Sequence, residues 1–191
     1  MAIRIVIAED NWLTPAVLRA ELESHDYQVV GIARTGTETL ELCRRERPEV
    51  VLMDIRMPGI DGVEVTRLLM EESPTCVVMV TGDASLNQTS DEAGAMGYLV
   101  KPFLPHEIVS AVGGALRRFA WFQRVRAEAG SALAALAAWH VVRRAVREMG
   151  DRDRMSDAQA FDRIQQAASA QEVTLLQAAQ DMLPRAPDSQ V

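Results

Sequence analysis

The sequence lacks the features of several protein classes. It has only two cysteines, Cys43 and Cys76, and their spacing suits neither a disulfide framework nor a zinc site. Both are expected to pack as small apolar side chains. No apolar run reaches the roughly 18 residues that indicate a membrane-spanning helix, and the apolar stretch after Met1 is too short for a signal peptide. We therefore expect a cytoplasmic protein with no membrane partner.

A strongly basic region is also absent. Residues 1–117 hold 10 basic and 18 acidic side chains, whereas residues 118–191 hold 10 basic and 9 acidic ones. Only the C-terminal part is therefore a plausible polyanion binder, and its charge is far below that of a strongly basic nucleic-acid-binding domain. Hydrophobic residues make up 48% of the chain, which is enough for a core, and the length favours one ordinary domain with an appendage.

Short apolar runs alternate with helical patterns in the N-terminal part of the chain. They cover residues 3–8, 28–32, 49–53, 76–81 and 97–100. Several runs are apolar at successive positions, which is typical of parallel strands covered by helices on both faces. Thr35 and Asp61 each precede a glutamate by three residues, as helix caps do, and Pro105 suits the first turn of a fifth helix. The pattern predicts an α/β fold with a (βα)5 doubly wound parallel sheet.

The helical pattern continues beyond this sheet. No proline occurs after Pro105 until past residue 150, which predicts one long helix or two abutting helices. Apolar residues within it follow the spacing of a coiled-coil seam, at Phe119, Phe122, Ala129, Leu133 and Leu136. A homodimer through this long helix is one interpretation, and packing onto the C-terminal helices of the same chain is the other. Capping boxes at Ser156 and Thr174 predict two further short helices.

Polar side chains follow four of the five predicted strands. Glu9 and Asp10 come after the first strand, and Asp54 ends the third. Thr81 ends the fourth, and Lys101 follows the fifth. These groups are expected to converge, because ligand sites of open parallel sheets lie beyond the carboxyl ends of the strands. Carboxylate oxygens suit Mg²⁺, and an aspartate beside this ion is a candidate nucleophile toward a phosphoryl donor, with Lys101 and Thr81 contacting the transferred group.

These motifs resemble those of two-component receiver domains. The resemblance covers residues 3–118 and rests on Glu9-Asp10, the run MDIRMPGIDG, Thr81-Gly82 and Lys101-Pro102-Phe103. It implies a flavodoxin-like sheet with the strand order 2-1-3-4-5. It also implies a response regulator of a phosphorelay, which accepts a phosphoryl group from a sensor histidine kinase. Such a protein is not an enzyme, and any autodephosphorylation is regulatory.

The resemblance assigns a role to each residue of the predicted site. Asp54 is the phosphoacceptor, and Thr81 and Lys101 assist the transfer. Asp10 and Asp54 are direct Mg²⁺ ligands. The remaining metal contacts come from the backbone carbonyl of Arg56 and, largely through water, from Glu9.

A second group of residues concerns switching. Thr81 and Tyr98 are implied to move together, with Tyr98 as the aromatic whose rotation accompanies an inward shift of the threonine. The alternative is that Tyr98 is a static, half-buried aromatic. The resemblance further implies a cis peptide before Pro102. Arg56 and Asp83 could also pair across the site mouth and shield the phosphoryl group from water.

Residues 132–184 resemble the ANTAR module, a three-helix RNA-binding output of transcription antiterminators. The apolar pattern and its spacing carry the resemblance, at Ala145, Met155 with the adjacent Ser156, Ala160, Phe161, Ile164, Ala168, Leu175 and Ala179. The module is divergent, because Val146-Arg147 replaces the basic-glycine pair that usually follows the alanine. The resemblance implies structured RNA as a partner. Six arginines are candidates for phosphate contacts: Arg143, Arg144, Arg147, Arg152, Arg154 and Arg163.

We therefore predict a receiver domain at 1–118, a coiled-coil-like helical extension at 119–150 and an overlapping output module at 132–184. The predicted function is phosphorylation-controlled RNA binding for transcription antitermination. One alternative is a phosphorylation-dependent adaptor whose degenerate output binds a protein and no nucleic acid. A helix-turn-helix over residues 155–182 that binds DNA is a further alternative.

Overall fold

Parallel strands form the centre of the N-terminal part of the protein. The structure is a computed structural model that describes residues 2–82, 87–129 and 131–183. The strands are β1 (Ile3–Ala8), β2 (Tyr27–Ala33), β3 (Val50–Asp54), β4 (Cys76–Thr81) and β5 (Gly97–Val100). They form one five-stranded sheet in the order β2-β1-β3-β4-β5, and every neighbouring pair is parallel. This confirms the predicted fold class and strand order.

Helices follow each strand of this sheet. They are α1 (Leu13–Glu23), α2 (Gly36–Glu46), α3 (Gly62–Glu72), α4 (Asn87–Ala93) and α5 (Pro105–Ala129). The predicted caps begin two of them. The Thr35 side chain accepts a hydrogen bond from the Glu38 amide at 3.2 Å, and Asp61 accepts one from the Glu64 amide at 2.9 Å. Pro105 is the first residue of α5, where its missing N–H costs nothing.

The central strands are buried along their length. Val50, Val51 and Val77 are fully inaccessible to solvent, which explains why their segments are apolar at successive positions. Both cysteines belong to this core as predicted. Burial raises the pKa of the Cys43 and Cys76 thiols to about 12, so both remain neutral.

The chain divides into two compact units, Met1–Glu128 and Ala129–Val191. The second unit contains α6 (Ala132–Asp153), α7 (Asp157–Ala170) and α8 (Leu175–Met182). Capping boxes at Ser156 and Thr174 begin α7 and α8, as predicted. Trp139 and Phe161 are buried, with ring centroids 6.5 Å apart, and they centre an apolar core shared by helices of this unit.

The predicted seam positions lie on two helices, because α5 ends at Ala129 and α6 begins at Ala132. They also differ in exposure, since Phe122 is fully buried whereas Leu133 is 77% exposed. A homodimer through these helices stays a prediction. None of the helices in the described ranges is long and apolar enough to cross a membrane.

Candidate functional site

The carboxyl edge of the sheet brings the predicted site residues together. The amine of Lys101 donates hydrogen bonds to Glu9 Oε2 at 2.6 Å and to Asp54 Oδ2 at 2.9 Å. The strand order explains this convergence, because β3, which ends in Asp54, lies between β1 and β4. Lys101 is also the only lysine in the chain. Residues far apart in sequence thus form one charged cluster.

Three carboxylates meet in this cluster. Glu9, Asp10 and Asp54 each offer an oxygen, and these oxygens lie within 4.8 Å of one another. Their environments differ, since Glu9 is 2% exposed and Asp10 is open to solvent. A single lysine cannot balance three carboxylate charges, and an all-oxygen donor set fits a hard divalent cation. The residues present therefore fit a metal ion of this kind.

Burial and neighbouring charges determine the protonation of the cluster. Burial raises the pKa of Glu9, and the charge of Asp54 adds to this increase, while Lys101 opposes it. Burial alone would lower the pKa of Lys101, but its hydrogen bonds to Glu9 and Asp54 outweigh that effect and raise it. Lys101 consequently remains an ammonium at neutral pH, and its positive charge faces Asp54.

The loop after β3 holds Asp54 in place. The Arg56 amide donates to Asp54 Oδ1 at 3.2 Å, so both carboxylate oxygens have a protein donor. Gly62 begins α3 directly against this loop, and its amide donates to the Ile55 carbonyl at 2.9 Å. A Cβ atom on Gly62 would lie 2.1 Å from the Asp54 carbonyl oxygen. Only glycine allows this close approach.

The ends of β4 and β5 carry the other predicted residues. Thr81 is buried, and its carbonyl accepts a hydrogen bond from the Lys101 amide at 2.7 Å. The peptide between Lys101 and Pro102 is cis, as the resemblance implied. The hydroxyl of Tyr98 donates to Asp91 Oδ1 at 2.7 Å. Sequence reasoning did not identify Asp91, and the suggested partner of Arg56, Asp83, lies outside the described residues.

One of the six candidate arginines of the second unit is not a surface residue. Arg143 is 4% exposed, and its Nη1 contacts Asp157 Oδ2 at 2.7 Å. It connects α6 to the first turn of α7. Arg143 is therefore removed from the candidate RNA-contacting surface, because a phosphate cannot reach a buried guanidinium.

The other candidate arginines lie nearer the surface, and acidic neighbours accompany several of them. Arg144 pairs with Glu148 at 2.8 Å, and Arg163 pairs with Asp153 at 2.9 Å. Arg152 contacts the same Asp153. Arg154 is exposed at the end of α6, and Arg147 is partly buried. The surface thus carries cations whose charge is partly balanced by the unit's own carboxylates.

Comparison with known proteins agrees with the geometry of the first unit. The family model of the response regulator receiver domain matches residues 5–113. The chain is 31% identical over 182 residues to the transcriptional regulatory protein PdtaR of Mycobacterium tuberculosis, covering 94% of this chain and 89% of that protein. It is also 43% identical over 109 residues to protein-glutamate methylesterase/protein-glutamine glutaminase 4 of Myxococcus xanthus, but covers only 31% of that protein.

Solved structures give the same result for the first unit. The response regulator domain of Thermotoga maritima CheB superimposes with a TM-score of 0.58 and 28% identity, covering 61% of this chain and 98% of that domain. The receiver domain of AraT from Geobacillus stearothermophilus gives a TM-score of 0.58 and 26% identity, covering 64% and 99%. With the matched family model and the cluster at the sheet edge, these findings show that the chain belongs to the response regulator receiver domain family.

Proposed function

We propose that this protein is the response regulator of a two-component system and that Asp54 accepts a phosphoryl group from a sensor histidine kinase. The observation that carries the proposal is the position of Asp54 between the Lys101 ammonium and the Arg56 amide, beside Glu9 and Asp10. A carboxylate held this way presents its oxygens at the sheet edge, where ligands of parallel α/β folds bind.

The transfer is a displacement at phosphorus. A carboxylate oxygen of Asp54 forms a bond to the phosphorus atom, the bond from phosphorus to the donor's imidazole nitrogen breaks, and an acyl phosphate results. Lys101 supplies positive charge next to the transferred oxygens, and the Thr81 hydroxyl is the proposed hydrogen-bond donor to another of them. The chain thus acts as a covalent acceptor, and hydrolysis of the acyl phosphate would end the signal.

Mg²⁺ is the proposed metal of the acidic cluster. Asp10 and Asp54 would bind it directly, with the Arg56 carbonyl and, through water, Glu9. When bound, this ion would neutralise carboxylate charge and the charge of the phosphoryl oxygens. The cluster itself supplies the reason for a metal, because three carboxylates within 4.8 Å repel one another.

We further propose that residues 1–118 act as the receiver and control a helical output at 132–184 through the segment 119–150. The output would bind structured RNA and cause transcription antitermination. Two observations support this: seven of the eight residues of the ANTAR-like apolar pattern are buried, Met155 being half-buried, and the likeness to a transcriptional regulatory protein extends over 94% of the chain. Arg144, Arg152, Arg154 and Arg163 are the exposed candidates for phosphate contacts.

A protein-binding adaptor is the second candidate. Carboxylates already pair with Arg144, Arg152 and Arg163, which reduces the attraction of this surface for phosphates. The only phenylalanine, tyrosine or tryptophan residues in the second unit, Trp139 and Phe161, are both buried, so neither offers a face on which an unpaired base could stack. An adaptor needs neither feature.

One experiment separates the two candidates. The full-length protein would be titrated with labelled tandem RNA hairpins at two salt concentrations, with and without acetyl phosphate and Mg²⁺. Salt-sensitive binding that strengthens on phosphorylation, and does not strengthen in Asp54→Ala, is the result expected for an RNA-binding regulator. Absence of binding in both states would reject RNA as the partner and favour the adaptor. Sedimentation of the same samples would test the proposed homodimer.

A further inference from the structure

Tyr98 makes a hydrogen bond that the proposed phosphoryl transfer does not use. Its hydroxyl donates to Asp91 Oδ1 at 2.7 Å. Tyr98 lies in β5, three residues before Lys101, whereas Asp91 lies in α4. The bond therefore connects a helix to the strand that leads directly into the lysine of the site.

Both partners are shielded from water. Asp91 is 5% exposed, and Tyr98 is partly buried, with its ring packed against the core that contains Met53 and Met79. A hydrogen bond from a hydroxyl to a carboxylate is stronger than one between neutral groups, and a water-poor environment strengthens it further. The bond consequently stabilises this orientation of the ring over any orientation that moves the hydroxyl away from α4.

The same end of β5 is linked to the site by the backbone. Val100 is paired with Thr81 across β4 and β5, and the Lys101 amide donates to the Thr81 carbonyl. The Lys101 side chain in turn contacts Asp54. Any rearrangement of Tyr98 thus takes place close to the two residues proposed to contact the phosphoryl group.

We propose that Asp91 is a positioning residue that holds Tyr98 in this orientation. It thereby raises the acetyl phosphate concentration needed to phosphorylate the protein and to move Tyr98 to its other orientation. The proposal rests on the proposed phosphorylation of Asp54. If two orientations of Tyr98 are in equilibrium, a bond made in only one of them favours that one. Loss of a hydrogen bond to a charged group would shift such an equilibrium about tenfold or more toward the other orientation.

The full-length protein allows this shift to be observed directly, because it has only two tyrosines, Tyr27 and Tyr98. Incorporation of fluorotyrosine gives two fluorine NMR signals, which Tyr98→Phe assigns. In the wild type, acetyl phosphate with Mg²⁺ is expected to move the Tyr98 signal and leave the Tyr27 signal unchanged. Without acetyl phosphate, the Tyr98 signal of Asp91→Asn is expected to lie between the positions it has in unphosphorylated and phosphorylated wild type. The signal of Asp91→Ala is expected to lie closer to the phosphorylated position.

A second readout follows phosphorylation itself. The acetyl phosphate concentration that gives half-maximal phosphorylation is expected to fall about tenfold in Asp91→Ala and in Tyr98→Phe. When both changes are combined, the fall should be smaller than the product of the two separate fold-changes, because the bond that the two residues share is lost only once. Asp26→Asn is the control, since it removes a carboxylate from an exposed turn before β2, at the opposite edge of the sheet from β5, and it is expected to leave both readouts at their wild-type values.

The outcomes distinguish this proposal from the proposed function. If mass spectrometry shows phosphorylated Asp54 while the Asp91 variants leave the Tyr98 signal unmoved or shift it off the wild-type displacement, Asp91 is only structural and the proposal is overturned. If the wild type is not phosphorylated at all, the proposed function fails and this proposal fails with it. Tyr98→Phe removes the hydroxyl but preserves the ring packing. If Asp91→Ala does not fold, the acetyl phosphate concentration that half-maximally phosphorylates Tyr98→Phe still tests the proposal, and a wild-type value would overturn it.

Discussion

The two units of this protein use charged side chains in different ways. In the first unit, Glu9, Asp54 and Lys101 come from three strand ends and meet within hydrogen-bond distance, partly shielded from water. In the second unit, three arginines lie on the surface and pair with nearby carboxylates: Arg144, Arg152 and Arg163. Charges that converge in a shielded place interact strongly, whereas exposed pairs are weakened by water and salt. The first arrangement suits chemistry, and the second suits a surface contact.

Replacing the site lysine should have the largest effect. In Lys101→Met, the rate of Asp54 phosphorylation by acetyl phosphate is expected to fall about 100-fold to 1,000-fold, because the charge that faces the transferred oxygens is lost. The rate is measured by intact mass over time. Arg44→Met is the matched control, since it removes an exposed cation that pairs with Glu72, and its rate should stay within about twofold of wild type. Equal losses in both variants would contradict a specific role for Lys101.

A glycine comparison tests whether tight packing positions the acceptor. Gly62→Ala should lower the free energy of unfolding by about 1–3 kcal/mol and slow phosphorylation, because the new methyl group would collide with the Asp54 carbonyl. Gly113→Ala adds a methyl group in α5, where the site for its Cβ is open, and is expected to stabilise the protein by about 0.5–1 kcal/mol. Denaturant unfolding measures both. A neutral Gly62→Ala would show that the loop relaxes easily.

Neighbouring arginines of α6 test the difference between a buried and an exposed charge within the second unit. Arg143→Met should lower the free energy of unfolding by about 2 kcal/mol, since it removes a hydrogen bond between charged groups in which the guanidinium is only 5% exposed. Arg144→Met, one position along the helix, should change it by less than about 0.5 kcal/mol. Chemical denaturation compares the two variants. Similar costs for both would contradict the assignment of Arg143 to the interior.

The smallest change is expected at the exposed surface. Arg163→Gln removes a cation that pairs with Asp153 and should alter the free energy of unfolding by less than about 1 kcal/mol. If the output binds RNA, this change should weaken binding similarly for different hairpins. It should also lower the salt slope, which is the steepness with which the logarithm of the binding constant falls with the logarithm of the salt concentration, by about one. Fluorescence anisotropy at several salt concentrations measures that slope. An unchanged slope would exclude Arg163 from the contacted surface.

Local sequence signals predicted much of the fold. The apolar runs gave all five strands to within a residue or two, and the capping residues Thr35, Asp61, Ser156 and Thr174 marked helix starts that the structure contains. These features depend on a few neighbouring residues, so they can be read from the chain. The meeting of Glu9 with Lys101 followed from the rule that parallel strands end at one edge.

Other features depend on three-dimensional positions that the sequence patterns left open. The bond from Tyr98 to Asp91 depends on where α4 lies beside the end of β5, and no spacing rule gives that position. The burial of Arg143 did have a signal, because it lies four residues after Trp139 and three before Val146, both of which are buried. Its charge suggested a surface position, whereas its helical phase indicated the interior.

The central claim is that Asp54 accepts the phosphoryl group, and the intact mass of the full-length protein tests it most directly. After incubation with acetyl phosphate and Mg²⁺, the wild type should gain the mass of one phosphoryl group. Omission of the metal should suppress the gain, and Asp54→Ala should abolish it, while Asp26→Asn, a change at an exposed turn, should gain the group normally. A wild type that gains no mass, or an Asp54→Ala protein that still does, would contradict the account.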